Sequence, residues 1–203
     1  MDLATDTVSD VARAWDRSAA GLAWSRDGKS LLVTADDIGK HRLFRIDIKT
    51  STVTAISTDG HLDAFAETPK GFVFQKSGLH GPAQLYASAP KARMIDASAT
   101  VLTQVNASLK DKALGAYEQF SFSGWDNETV YGYVLKPANY EEGKKYPVAF
   151  LIHGGPQGSF GEIGGVQVVG TAHLRAEQPD MPGRGKIGQR IHQAVNDVAV
   201  AVT

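Results

Sequence analysis

The sequence predicts a mixed fold: antiparallel β-meanders of propeller-blade size over the first two thirds, then the start of an α/β layer. Three observations predict it. Short β-rich runs separated by turn residues fill 24–56, and a weaker copy of that layout runs from His61 to Ala87. A hairpin signature with alternating strands occupies 118–135. The unbroken apolar run Val148-Ala149-Phe150-Leu151-Ile152 is of the kind found where a strand is covered on both faces by helices. On periodicity alone, a plain β-sandwich with unrelated meanders stays open as the alternative for the first part.

In the first meander Arg26-Asp27-Gly28-Lys29 is a turn before the strand Ser30 to Ala35, and the polar stretch Asp36 to Lys40 reads as a loop. The next strand, Arg42 to Ile48, places Phe44, Ile46 and Ile48 on one face and Arg45 and Asp47 on the other, the pattern of a half-buried strand. A further run, Thr52 to Ile56, follows the turn Lys49-Thr50-Ser51. In the second copy, Leu62 to Ala66, Phe72 to Gln75 and Gln84 to Ala87 are strands, separated by a Pro69-Lys70-Gly71 turn and a loop from Gly78 to Pro82. From Lys91 to Lys112 periodicity fades into Ala, Ser and Thr, which places a connection there. The hairpin strands 118–123 and 130–135 flank the turn Asp126-Asn127-Glu128, and Pro137 stops the second of them.

Composition narrows the function. With 203 residues and 21.7 kDa the chain has room for one ordinary domain or two small ones, less than a complete large hydrolase. It is 42% hydrophobic and 21% charged, with a mean hydropathy of -0.20, enough apolar mass for an ordinary core. Lys plus Arg number 21 against 22 for Asp plus Glu, so no long-range field of one sign draws in nucleic acid or an anionic membrane. The absence of cysteine excludes disulfides, thiolate metal sites and a cysteine nucleophile. No run approaches the roughly 20 apolar residues that span a bilayer, and Met1 to Asp10 carries acidic residues where a signal peptide would carry basic ones. No targeting or membrane partner is expected from these residues, and the compartment stays open between cytoplasm and periplasm.

The apolar run empties into His153-Gly154-Gly155-Pro156. Consecutive glycines after a strand let backbone N–H groups approach a ligand without side-chain obstruction. In α/β-hydrolases such an HGG-type loop supplies an oxyanion-hole donor, which stabilises the charge developing on a carbonyl oxygen in acyl transfer. Gly154 and Gly155 are therefore the oxyanion-hole candidates; a tight turn with His153 as bystander is the structural alternative.

A wider likeness joins these residues. Trp15-Asp16-Arg17-Ser18, Trp24-Ser25-Arg26-Asp27-Gly28-Lys29, Phe120 to Trp125, Val130-Tyr131-Gly132-Tyr133, Lys136-Pro137 and above all Lys145 to Gly161 resemble the prolyl oligopeptidase family of serine peptidases, in its bacterial dipeptidyl or acylaminoacyl peptidase branch. The resemblance runs from about Trp15 to Gly161. It implies the C-terminal blades of a β-propeller followed by the start of an α/β-hydrolase domain, with boundaries at 1–112, 113–161 and a non-family tail at 162–203. It also implies peptide substrates, hydrolysis through a Ser-Asp-His triad and no cofactor.

The triad itself is the test of that implication, because all three members follow the oxyanion loop in chain order. The last serine is Ser159 and there is no G-x-S-x-G, so none of the triad is assigned here. His173, Asp180, His192 and Asp197 follow the loop without a nucleophile to activate, and Ser159 lacks the strand-to-helix elbow that would expose it. The tail from Glu162 to Thr203 has no serine and no aromatic residue, which is read as a frameshifted or truncated gene in preference to a divergent insertion.

In that tail Ile187, Ile191, Ala194, Val195, Val198 and Val202 recur near helical spacing, predicting an amphipathic helix over 186–202. Gly183-Arg184-Gly185-Lys186-Ile187-Gly188 matches G-x-G-x-x-G but follows prolines where a strand is needed, so no nucleotide site is assigned. The region after Ala116 is expected to pack poorly, with 162–181 irregular. The six histidines are far apart in sequence and lack ligand spacing, so no metal is expected. Asn106-Ala107-Ser108 and Asn127-Glu128-Thr129 fit the glycosylation pattern, which has meaning only in a secretory compartment. The pairs Asp36-Asp37 and Glu141-Glu142 read as solvated loop residues, with capture of a substrate amine as the functional alternative.

Two functions follow. One is a fragment of a serine peptidase that lacks its own nucleophile and is inactive alone. The other is a non-enzymatic interaction module, self-associating through exposed strand edges.

Overall fold

A computed structural model describes residues 3–109, 111–146, 148–152, 161–162 and 199–202. Two compact units divide the chain: one of Met1–Asp37, His41–Lys76 and Gln84–Thr103, the other of Ile38–Lys40, Ser77–Ala83 and Gln104–Thr203.

One sheet has eight strands, β1 (Ala19–Trp24), β2 (Ser30–Asp37), β3 (Lys40–Asp47), β4 (Val53–Ala55), β5 (His61–Thr68), β6 (Gly71–Gly78), β7 (Gly81–Ala87) and β8 (Thr100–Val101). Neighbours follow chain order as two successive four-stranded meanders, joined where β3 pairs with β5 in parallel at His41 and His61. The Asp27-Gly28 turn forms as the sequence predicts: Asp27 accepts from the Ser25 hydroxyl at 2.7 Å and from the Lys29 N–H at 3.1 Å, and Gly28 takes φ 67.

Both predicted loops contract. The polar stretch 36–40 becomes a two-residue turn, Ile38 (φ 52) and Gly39 (φ 74), and the Gly78 to Pro82 loop is reduced to Leu79 and His80. In the first of these, the two consecutive positive φ values at Ile38 and Gly39 match the right-handed twist of the flanking strands and draw them together, so Asp36, Asp37 and Lys40 join the ladder. The connection beyond Lys91 also differs, because Thr100 and Val101 pair with Ala87 and Tyr86 as the fourth strand of the second meander.

The core is Leu32, Leu43, Ile56, Leu62, Phe72, Phe74 and Ile95, with Phe65, Tyr86 and Ala99 packed against it. Here β3 departs from the half-buried pattern. Leu43 is buried in the core while Phe44 and Ile46 are buried on the opposite face, where the Trp15 ring meets Phe44 edge-on at 5.1 Å; Ile48 lies beyond the strand and only partly buried. Ile95, within the aperiodic connection, is held by its N–H to the Ile56 carbonyl at 2.8 Å.

The second unit holds a mixed four-stranded sheet in the order β11-β12-β10-β9, where β9 is Tyr117–Ser123, β10 Thr129–Leu135, β11 Ala149–Ile152 and β12 Ala199–Val202. The predicted hairpin is in register from Thr129 opposite Ser123 to Leu135 opposite Tyr117. Its turn places Asp126 and Asn127 at positive φ, closed by Gly124 N–H to the Glu128 carbonyl at 2.8 Å.

Strand β12 corrects the predicted tail helix at its C-terminal end. Ala199-Val200-Ala201-Val202 alternates with period two, and it pairs with β10 on one side and β11 on the other. Two ladders satisfy its backbone, which outweighs a helical spacing carried by valines of modest helix propensity. The remainder of that helix, the 163–181 stretch and the glycine motif at 183–188 lie outside the described residues. The buried hydrophobics described in this unit are Leu79 and Tyr133, and no parallel sheet of five strands is present among the described residues.

Candidate functional site

The glycine loop leaves the C-terminal end of β11, which runs parallel to β12 with Ile152 opposite Val202. Carboxyl ends of parallel strands are where open α/β sheets present their ligand-binding loops. His153, Gly154 and Gly155 themselves lie outside the described residues, as do Ser159, His173, Asp180, His192 and Asp197.

What is described is where the chain next returns, at Gly161 and Glu162. Glu162 is 4% exposed, its N–H donates to the Gly39 carbonyl at 2.7 Å, and its Oε1 lies 3.4 Å from the Tyr133 hydroxyl. Tyr133, 1% exposed, also reaches the Gly39 carbonyl at 3.2 Å. Gln119 Nε2 donates to the Tyr133 hydroxyl at 3.1 Å and to the Ile38 carbonyl at 2.9 Å. Burial pushes the Tyr133 hydroxyl well above its ordinary value, and the Glu162 charge adds to the effect, so Tyr133 stays a protonated donor. Sequence reading took Tyr133 as an ordinary strand residue and Glu162 as the first residue of the tail. The available signal was the position of Glu162, an acidic residue immediately after the family motif.

The structure brings together two histidines that sequence spacing left apart. His41 and His61 are register partners whose rings stack at 4.6 Å; His41 Nδ1 lies 2.7 Å from Asp36, and His61 Nε2 lies 2.9 Å from Asp63. Burial, the largest influence, holds the His61 imidazole below its ordinary value against the opposing charge of Asp63. Among the described residues no cluster of three His, Asp or Glu side chains could hold a metal ion.

The two acidic pairs divide. Asp36 engages His41, while Asp37 accepts from Arg17 at 3.1 Å and Arg42 at 2.8 Å. Burial alone would raise the Asp37 carboxyl, and the hydrogen bonds from Arg42 and then Arg17 hold it below the usual carboxylate range. A carboxylate already shared by two guanidinium groups is a brace and a poor amine receptor. Glu141, in an exposed turn, pairs with Lys144 at 2.7 Å. A third charged group escaped sequence reading: Lys76 bridges Asp59 and Asp96, and Asp96 also accepts from the Thr58 N–H and hydroxyl.

No family model matches the chain. It is 28% identical over 202 residues to a probable dipeptidyl-peptidase 5 of Aspergillus niger, covering 95% of this chain and 27% of that protein. It is 34% identical over 155 residues to dipeptidyl-peptidase 5 of Schizosaccharomyces pombe, covering 74% of this chain and 22% of that one. The chain is homologous to part of the prolyl oligopeptidase-family peptidases. In fold the chain is similar to an acylaminoacyl peptidase in complex with Z-Gly-Gly-Phe-chloromethyl ketone, which superposes over 97% of this chain and 27% of that one, with a TM-score of 0.65 at 20% identity. The chain thus spans about a quarter of the length of the family members it matches. Among the described residues no helix is long and apolar enough to cross a membrane.

Proposed function

We propose that the chain is the junction segment of a serine-type peptidase: two propeller blades within 1–112, the opening strands and oxyanion loop of an α/β-hydrolase domain at 113–161, and a tail at 162–203. The observation that carries this reading is the pair of successive four-stranded meanders followed by a separate mixed sheet whose strand β11 leads into His153-Gly154-Gly155. In the assembled chemistry, a backbone N–H of Gly154 or Gly155 would receive the oxyanion as the peptide carbonyl becomes tetrahedral, worth several kcal/mol of barrier. None of the 203 residues matches the nucleophile of the family, so this chain by itself does not hydrolyse peptides. Its retained chemistry is donation to an anion.

A tetrahedral anion tests that directly. Titrating the labelled chain with a peptidyl phosphonate monoester is expected to shift the backbone amide signals of Gly154 and Gly155 ahead of all others. Saturating phosphonate with those two signals unmoved would defeat the reading.

A second reading, an interaction module, is favoured by β1. It forms one edge of the eight-stranded sheet among the described residues and exposes Leu22 at 63% and Trp24 at 60% on the same face. An open apolar edge of this kind recruits a second copy by strand pairing. Sedimentation is then expected to show a dimer that Trp24→Lys dissolves; a monomer at all concentrations would remove this reading.

A further inference from the structure

The two meanders of the eight-stranded sheet meet in the ladder at one registered pair, His41 of β3 opposite His61 of β5. Further along, β3 pairs instead with β4, Phe44 to Ile46 lying opposite Ala55 to Val53. The backbone bond of the joint runs from the His41 N–H to the Gly60 carbonyl at 3.1 Å. Over it the two imidazoles stack at 4.6 Å with 24° between their planes. Strand alternation places His41 on the Leu43 face of β3, while Arg42 lies on the other face, its guanidinium 5.8 Å over the Phe44 ring.

Each ring has its own carboxylate: Asp36 on β2 lies 2.7 Å from His41 Nδ1, and Asp63 on β5 lies 2.9 Å from His61 Nε2. Both rings are largely buried, whereas Asp36 is 75% exposed and Asp63 39%. Water therefore screens the attraction of the carboxylates. Rings stacked this closely leave no room for water between them, so the repulsion of two imidazolium ions would be screened far less. Burial, the largest influence on His61, favours its neutral ring, and the charges of Asp63, His41 and Asp36 act on it after that. Cations on the neighbouring strands are committed elsewhere: Arg42 to Asp37 and the Ser57 carbonyl, Arg45 to Glu67, and Lys76 to Asp59 and Asp96.

We propose that the His41–His61 stack is a proton-operated latch between the two meanders: with both rings neutral β3 and β5 stay paired, and protonation of both parts them at this joint. A permanent joint would be served by hydrocarbon, as at the buried Leu43 and Leu62 nearby on the same two strands. Histidine instead places the change of charge near neutral pH. The parting is local, because one core of Leu32, Leu43, Ile56, Leu62, Phe72, Phe74 and Ile95 is shared by both meanders and holds no titratable group.

Amide hydrogen exchange of the full chain between pH 7.5 and pH 5 tests the latch, read as protection factors so that intrinsic exchange chemistry cancels. The amide at position 41 reports on the joint. Controls are the Ser25 amide, bonded to the Ser30 carbonyl within the first meander, and the Ser88 amide, bonded to the Phe72 carbonyl within the second. Protection at position 41 is expected to fall at least tenfold more than at Ser25 and Ser88 as the pH drops. In His61→Phe and in His41→Phe, which keep a ring to stack but leave one titratable imidazole, that excess should shrink to within threefold. An equal fall at all three amides would overturn the proposal, as would the same excess in both variants or a flat profile at position 41. Should neither variant fold, the ring protons of the parent chain decide: stacked imidazoles that repel titrate in two separated steps, and a single shared step at the ordinary value would overturn the latch.

Discussion

In the first unit the fully buried large side chains are hydrocarbon, Leu32, Leu43, Leu62, Phe74 and Ile95, whereas the described part of the second buries Tyr133 and Glu162 alongside Leu79. The two regions therefore fail in different ways. A hydrocarbon core loses stability with the volume removed, because the cavity collapses only in part. A polar cluster loses it with each partner left unsatisfied, even when shape is preserved.

The largest effect should come from the first region. Phe74, 1% exposed and stacked on Tyr86 at 5.6 Å, becomes a cavity in Phe74→Ala, expected to cost about 3–5 kcal/mol in urea unfolding of the first unit. A loss below 1 kcal/mol would mean that the core collapses freely and is not closely packed. Lys76→Met is next. It strips the cation from Asp96, whose side chain is only 2% exposed, and about 3 kcal/mol is expected because an uncompensated carboxylate is left behind. Adding Asp96→Asn to Lys76→Met should recover much of that loss.

In the second region Tyr133→Phe changes no volume to speak of, yet an unfolding cost of about 1–2 kcal/mol is expected from the acceptors and donor it leaves. A neutral result would place the comparison in doubt, since it would make the ring the whole contribution. The smallest effect belongs to Trp125→Ser. With Trp125 93% exposed on the hairpin turn, a change within about 0.5 kcal/mol is expected.

Acid separates two windows within the first unit. His61 has a folded value below its unfolded one, so the unfolded chain binds the proton first and stability falls as pH drops below about 6.5. Asp37 and Asp96 are also depressed, Asp96 by Lys76 and then Thr58 acting against burial. Their contribution is present above the unfolded carboxylate value of about 3.9 and is lost as pH falls through the folded values. His61→Gln should remove the first decline and leave the second, read from unfolding midpoints between pH 7 and pH 3. A decline near pH 6 that survives the substitution would point to another histidine.

The sequence was most readable where one local rule acted alone. The Asp27-Gly28 turn, the 118–135 hairpin and the apolar β11 each follow from a few neighbouring residues, and each stands in the structure. Reading failed where distant chain decides. Nothing near Thr100 or Ile95 announces a strand partner or a core position, since both are set by pairing with Tyr86, Ala87 and Ile56. The valines of 199–202 fit a helical spacing and a strand alternation equally, and two available ladders decide between them. The candidate loop was legible as a motif, His153-Gly154-Gly155. Its surroundings were not, because Gly39, Tyr133 and Glu162 are brought together from positions 94 and 29 residues apart. The same holds for His41 and His61, whose contact is a matter of strand register.

The function proposed for the chain is that of an oxyanion donor without a nucleophile. Its most direct test is incubation of the folded chain with a serine-directed fluorophosphonate, with hydrolysis of a dipeptide or acyl-amino-acid anilide followed in parallel. The account predicts no labelling and no turnover from a sample whose β-sheet circular dichroism is intact. Stoichiometric labelling with turnover, at Ser159 or any other serine, would contradict it.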